Sequence, residues 1–219
     1  MRYFLFLFLL VLSGCATNIT VQGTVPTPLI AKVPLRVGVY YSPDFKNFRH
    51  QEVIEKHATY NVAFGHQNLN MFRSLFAAMF KSVVEVGKLP LTVDQAKGLD
   101  GIIVPEILKY GFLTPDISGL NFYSASIRYR ITLYSGKGKM LHQWILVGYG
   151  KSEAGIFGGN EALADSTLQA IRDGGARISI DIPKDPAFVA WVRENTGNAG
   201  KAGKAMGKVD IPSPEGGQR

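Results

Sequence analysis

One cysteine in 219 residues, Cys15, has no second cysteine to pair with, so no disulfide framework holds this chain and its stability must come from an apolar core. No apolar run is long enough for a membrane span. The longest, Tyr3 to Leu12, holds ten residues, whereas a helix needs about 20 to cross a hydrocarbon core of about 30 Å. The four histidines, His50, His57, His66 and His142, share no metal-ligand spacing such as HExxH. Only a meeting of His57 and His66 in space would leave a metal site open. The carboxylates are scattered, and no serine has a nucleophile-elbow setting. Gly148-Tyr149-Gly150-Lys151-Ser152 ends like a phosphate-binding loop, but Ile145 stands where that loop needs its first glycine. A glycine-relaxed strand end explains the run better. No internal repeat and no aromatic-basic nucleic-acid motif appears. The sequence therefore offers no catalytic residue, no cofactor site and no metal site, and reads as a non-enzyme.

What is present begins at the amino terminus. Arg2 precedes the apolar run, and the small residues Ser13 and Gly14 follow it, which is the layout of a secretory signal peptide over residues 1–14. Leu12-Ser13-Gly14-Cys15 resembles the lipobox of bacterial lipoproteins. The resemblance implies a diacylglyceryl group on the Cys15 thiol, cleavage between Gly14 and Cys15, and a further fatty acyl chain of the palmitate type on the new amino terminus. Chemically, the thiol is the side chain nucleophilic enough for thioether formation near neutral pH. One acyl chain holds a protein only reversibly and two or more anchor it firmly. The alternative is an ordinary signal peptide beside a stray thiol. Ala16 follows the cysteine, not the aspartate that retains many such lipoproteins at the inner membrane, so the resemblance implies the periplasmic side of the outer membrane.

The formal charge of +7 is compatible with an anionic membrane surface or acidic glycans. Export and the missing motifs argue against nucleic acid. Part of the excess is in the tail, at Lys201, Lys204, Lys208 and Arg219, so the charge identifies no ligand.

Along the chain, residues 15–34 combine the lipidated cysteine with a Thr-, Val- and Pro-rich stretch that reads as an extended tether. A periplasmic domain is expected over residues 35–194 and a disordered tail over 195–219. Within the domain, residues 35–41 and 57–64 read as strands. Leu69, Phe72, Phe76, Met79, Phe80 and Val83 recur at helical spacing. A short strand follows at 82–86, then a long one at 100–113 that Pro105 places at a bulge or an edge. Residues 121–134 alternate apolar odd positions with polar even ones and turn at 135–139 into a partner strand. Helices are expected from Asn160 to Ile180 and from Pro186 to Glu194. The fold class is α+β, a largely antiparallel sheet with helices packed on one face.

Three groups invite a binding role. Arg128 and Arg130 project from one strand face, toward an anionic partner or toward solvent. Tyr40, Tyr41, Phe45 and Phe48 flank the first turn, as a partner surface or as core. Gly155 to Gly159 is a flexible loop with an aromatic tip or a plain connection.

From Pro34 to Glu194 the chain resembles a family of uncharacterised lipoproteins of Gram-negative bacteria, through PLRVGVYYSPDF at 34–45, LDGIIVPEI at 99–107, SIRYRITLY at 126–134 and VGYGKS ending at Ser152. That family brings no established activity. Comparable small α+β lipoprotein domains serve as accessory subunits of the curli secretion pore and the lipopolysaccharide translocon, which implies an envelope protein partner. A periplasmic lipid or glycan carrier or sensor is the alternative.

Overall fold

The computed structural model describes residues 16–54, 58–153 and 158–206, except for the side chains of residues 16, 58, 93, 94 and 198–206. The elements in order are β1 (Ala16–Thr20), β2 (Val33–Val39), α1 (Pro43–Lys46), β3 (Arg49–Ile54), β4 (Ala58–Ala63), α2 (Gly65–Met79) and β5 (Phe80–Glu85). Then come α3 (Val93–Ala96), β6 (Gly101–Leu113), α4 (Pro115–Ser118), β7 (Tyr123–Ser135), β8 (Met140–Ser152), α5 (Gly159–Asp181), a 3-10 turn (Ile182–Lys184) and α6 (Pro186–Met206). A five-stranded sheet has the order β5-β2-β6-β7-β8, and a three-stranded sheet the order β1-β4-β3. The long β6-β7-β8 meander and the β3-β4 pair are antiparallel, while β1-β4, β2-β5 and β2-β6 are parallel. This is the expected α+β fold, with mostly antiparallel sheets.

Period-two patterning decides which face of the large sheet is covered. Ala125, Ile127, Tyr129, Ile131 and Leu133 of β7 are all buried, as alternation requires when one face meets the core. The apolar stripe of α2 meets that face, Phe72 lying 5.4 Å from Tyr129 between ring centroids. Tyr129 is wholly buried and its hydroxyl donates to Asn68 Oδ1 at 2.8 Å. Tyr110 and Thr167 join their hydroxyls at 2.8 Å, tying β6 to α5. Burial raises the pKa of Tyr41, Tyr110 and Tyr129 well above the usual tyrosine value, because a phenolate would be desolvated there. Trp191 anchors α6 by packing on Phe80 and Phe188 and by donating its indole N–H to the Asp100 carbonyl at 3.2 Å.

Pro105 fits its strand as an edge residue does. Pairing of β2 with β6 stops at Val39 opposite Ile103, and the Tyr40 amide donates to the Ile103 carbonyl. Two residues on, the amide position of Pro105 faces the same side, past the end of β2, so no ladder bond is lost. The irregularity in β6 comes later, between Ile107 and Lys109.

Three expectations are corrected. The helical spacing read as far as Val83 ends at Met79, and Phe80 and Val83 belong to β5. Residues 16–34 are not a free tether. Ala16–Thr20 pairs with β4, Ile19 and Val21 are buried, and the Gln67 side chain bonds both the amide and the carbonyl of Gly23. Arg172 then holds the Thr24 carbonyl, and Val25 and Ile30 pack on the core between α2 and α5. Isolated apolar residues in a Pro- and Thr-rich stretch dock it: Ile19 and Val21 join the core and Val25 and Ile30 pack against it, while Leu29 stays fully exposed. The expected short last helix does not stop at Glu194 but continues to Met206, since the Ala- and Lys-rich residues beyond 195 favour helix despite their glycines. The proposed signal peptide, Gly14, Cys15 and residues 207–219 lie outside the described residues.

Candidate functional site

The face of the large sheet opposite α2 and α5 ends in the edge strand β8. On β8 the outward side chains of Leu141, Ile145, Val147 and Tyr149 form an exposed row, Ile145 with 61% of its surface in solvent. Beside it on β7 stand Arg128, opposite Val147, and Arg130, opposite Ile145. Arg130 approaches Glu106 of β6 at 3.6 Å, while Arg128 stays exposed. Both arginines therefore project from the same strand face, as the alternation predicts, Arg128 exposed and Arg130 half-buried with its Nε shielded.

The outer edge of β8 is half closed. The Tyr149 amide donates to Asp173 Oδ2 at 2.9 Å and the Lys151 amide to Gln169 Oε1 at 3.4 Å, both acceptors belonging to α5. Amides of one parity point the same way along a strand, so those of Gln143, Ile145 and Val147 also point away from β7. Among the described residues no group bonds them. This leaves an unpaired strand edge flanked by an apolar row, the arrangement that recruits another strand.

Gly148 and Gly150 explain how α5 comes so close. A Cβ on Gly148 would collide with the Ala170 carbonyl oxygen, and one on Gly150 with the Ser166 carbonyl oxygen. The glycines of the Gly148-Tyr149-Gly150 run thus serve helix packing. A relaxed strand end is not the reason for them.

A concavity of about 570 Å³ opens on the same sheet face, at the end near the β7-β8 turn. Leu89, Pro90, Leu91, Ile102 and Tyr134 line it, with Lys97 and Lys137 also on its wall. Its walls are mainly apolar, a lining that suits an acyl chain or a ring face.

The remaining sequence candidates disperse. Tyr41 and Phe45 are core residues stacked at 5.7 Å, and Phe45 meets Phe72 edge-on, so the aromatic turn is core rather than a partner surface. His50 bonds Glu52 Oε2 at 2.9 Å and lies edge-on to Tyr110. His142 lies 4.0 Å from Asp185. His57 and most of the Gly155–Gly159 loop fall outside the described residues. Among the described residues no group of three or more His, Cys, Asp or Glu side chains converges as a metal site. No described helix is long and apolar enough to cross a membrane.

The chain matches no family profile and no curated protein sequence. Its fold is shared with solved structures at low identity. A DUF330 protein from Xanthomonas campestris superposes with a TM-score of 0.51 at 10% identity, covering 84% of this chain and 98% of that one. A Helicobacter pylori protein named as a neuraminyllactose-binding hemagglutinin homolog gives 0.50 at 12% identity, covering 78% and 96%. A minor lipoprotein from Acinetobacter baumannii gives 0.35 at 12% identity, covering 68% and 90%. The first two likenesses establish a shared α+β architecture over most of the chain.

Proposed function

We propose that this is a non-enzymatic lipoprotein, anchored through acyl chains on Cys15 to the periplasmic face of the outer membrane, that serves as an accessory or assembly subunit of an envelope transport or secretion complex. The lipobox motif supports the anchor. The unpaired edge of β8 with its exposed Ile145 and Val147 carries the binding role, because such an edge left bare invites unspecific strand pairing unless a partner covers it. Photo-crosslinking in whole cells tests this. A crosslinking residue at Ile145 is expected to trap one discrete envelope protein, and the same residue at Lys137 on the distal turn to trap none. Equal labelling at both positions would sink the proposal.

The apolar cleft beside Tyr134 favours a second reading, a carrier or sensor for a lipid or acylated glycan. Its lysines, Lys97 and Lys137, would meet an anionic headgroup. Lipid recovered in stoichiometric amount from the native protein, and lost from Tyr134→Ala, would favour that reading.

A further inference from the structure

Ala16, one residue after the proposed lipid site, is already inside a sheet, paired with Thr59 of β4. Adjacent Cα atoms are about 3.8 Å apart, so an acylated Cys15 leaves almost no slack between the bilayer surface and this end of the domain. Several described elements share that end. Thr59 also pairs with Val53 of β3. Tyr60 packs on Phe112 at 5.2 Å, which sets the start of β4 beside the end of β6. Leu113 of β6 pairs with Ser124 of β7, and Gly159 at the start of α5 lies against Tyr123.

The surface at this pole carries exposed large apolar side chains among the exposed polar residues Asn121, Glu153 and Glu161. The connection from β6 to β7 exposes Leu113, Ile117 and Leu120, the last at 50%, and Val53 stands 69% exposed beside Ala16's partner. Next to them Lys151 holds its ammonium 4.1 Å over the Phe122 ring. An aromatic ring with a lysine whose head reaches water is a pairing suited to the headgroup layer. Asp116 is the acidic group in the same connection; burial, and after it the Asp116 charge, raises the pKa of Tyr60 and of Tyr123.

We infer that this pole is a membrane-docking face: the domain rests on the bilayer with Ile117 and Leu120 in the headgroup layer, which holds β8 and the open sheet face at a fixed orientation to the membrane. The inference rests on the lipoprotein reading above, and the test separates the two. Acylation consumes Cys15, so Leu120→Cys and Lys137→Cys each give a single free thiol for an environment-sensitive fluorophore. The full-length lipoproteins are purified and reconstituted in phosphatidylethanolamine and phosphatidylglycerol vesicles. The label at position 120 is expected to shift to the blue and to be quenched by a lipid carrying a quencher, and the label at 137 to stay water-like. A water-like label at 120 on protein whose intact mass includes the acyl chains overturns the docking face and leaves the anchor standing. A blue shift that lipid-borne quencher leaves untouched assigns the pole to a protein contact or a second copy, and also overturns it. An intact mass without acyl chains removes the anchor and the inference together.

Discussion

The buried pair Tyr129 and Asn68 is the most exacting test of the core. Tyr129 is wholly buried and so is Asn68, and the hydroxyl gives Asn68 Oδ1 its hydrogen bond at 2.8 Å. Asn68 Nδ2 has no partner of its own, so Tyr129→Phe leaves the amide wholly unpaired inside the core. Losing a buried partner in this way costs about 1–3 kcal/mol, whereas replacing both groups with apolar ones of similar shape is nearly neutral. Urea unfolding of the mature chain carrying Cys15→Ser is therefore expected to give a loss in that range for Tyr129→Phe. The double variant with Asn68→Leu is expected to recover most of it. A single-variant loss below about 0.5 kcal/mol, within the spread of surface substitutions, would refute the reasoning. So would a double variant worse than the single by more than about 1 kcal/mol.

Other expectations follow from the same contacts. Folded-state pKa values of Tyr41, Tyr110 and Tyr129 are raised by burial, so the contribution is full below the unfolded tyrosine value of about 10 and is lost as pH rises beyond it. Each such tyrosine steepens the alkaline loss by about 1.4 kcal/mol per pH unit, and Tyr129→Phe should lower the slope of unfolding stability above pH 10 by one such step. Deleting residues 16–20 should destabilise the domain by at least about 2 kcal/mol, the burial of Ile19 alone, as thermal melting would register; an unchanged melt would restore the free-tether description. Gly148→Val should be among the most damaging single changes on β8, about 3 kcal/mol or more, because the clash is with the backbone of α5, and circular dichroism melting would show it.

How far the sequence can be read follows from how each element earns its place. The alternation in β7 and the helical spacing of α2 bury a whole face, and their patterns are correspondingly strong. The strand β3, Arg49–Ile54, escapes pattern reading because RHQEVI carries few apolar residues; its register against β4 from Arg49 opposite Ala63 to Ile54 opposite Ala58 stabilises it. The docking of residues 16–34 depends on Gln67, Arg172 and the core around Met71, all far along the chain. The proposed lipid site at Cys15 rests on a wholly local signal, the run Leu12-Ser13-Gly14-Cys15. The β8 edge is not, since Leu141, Ile145 and Val147 alternate with Trp144 and Leu146 and the strand looks apolar on both faces. Only the position of α5 decides which row is left bare.

The anchor is the premise on which the binding edge and the docking pole both act, and one mass spectrum addresses it. The protein is taken from the native membrane, digested, and its amino-terminal peptide weighed. The account predicts a peptide that begins at Cys15 and carries a diacylglyceryl thioether and an amide-linked fatty acid. A peptide with an unmodified Cys15 thiol, or one that begins elsewhere, would contradict it.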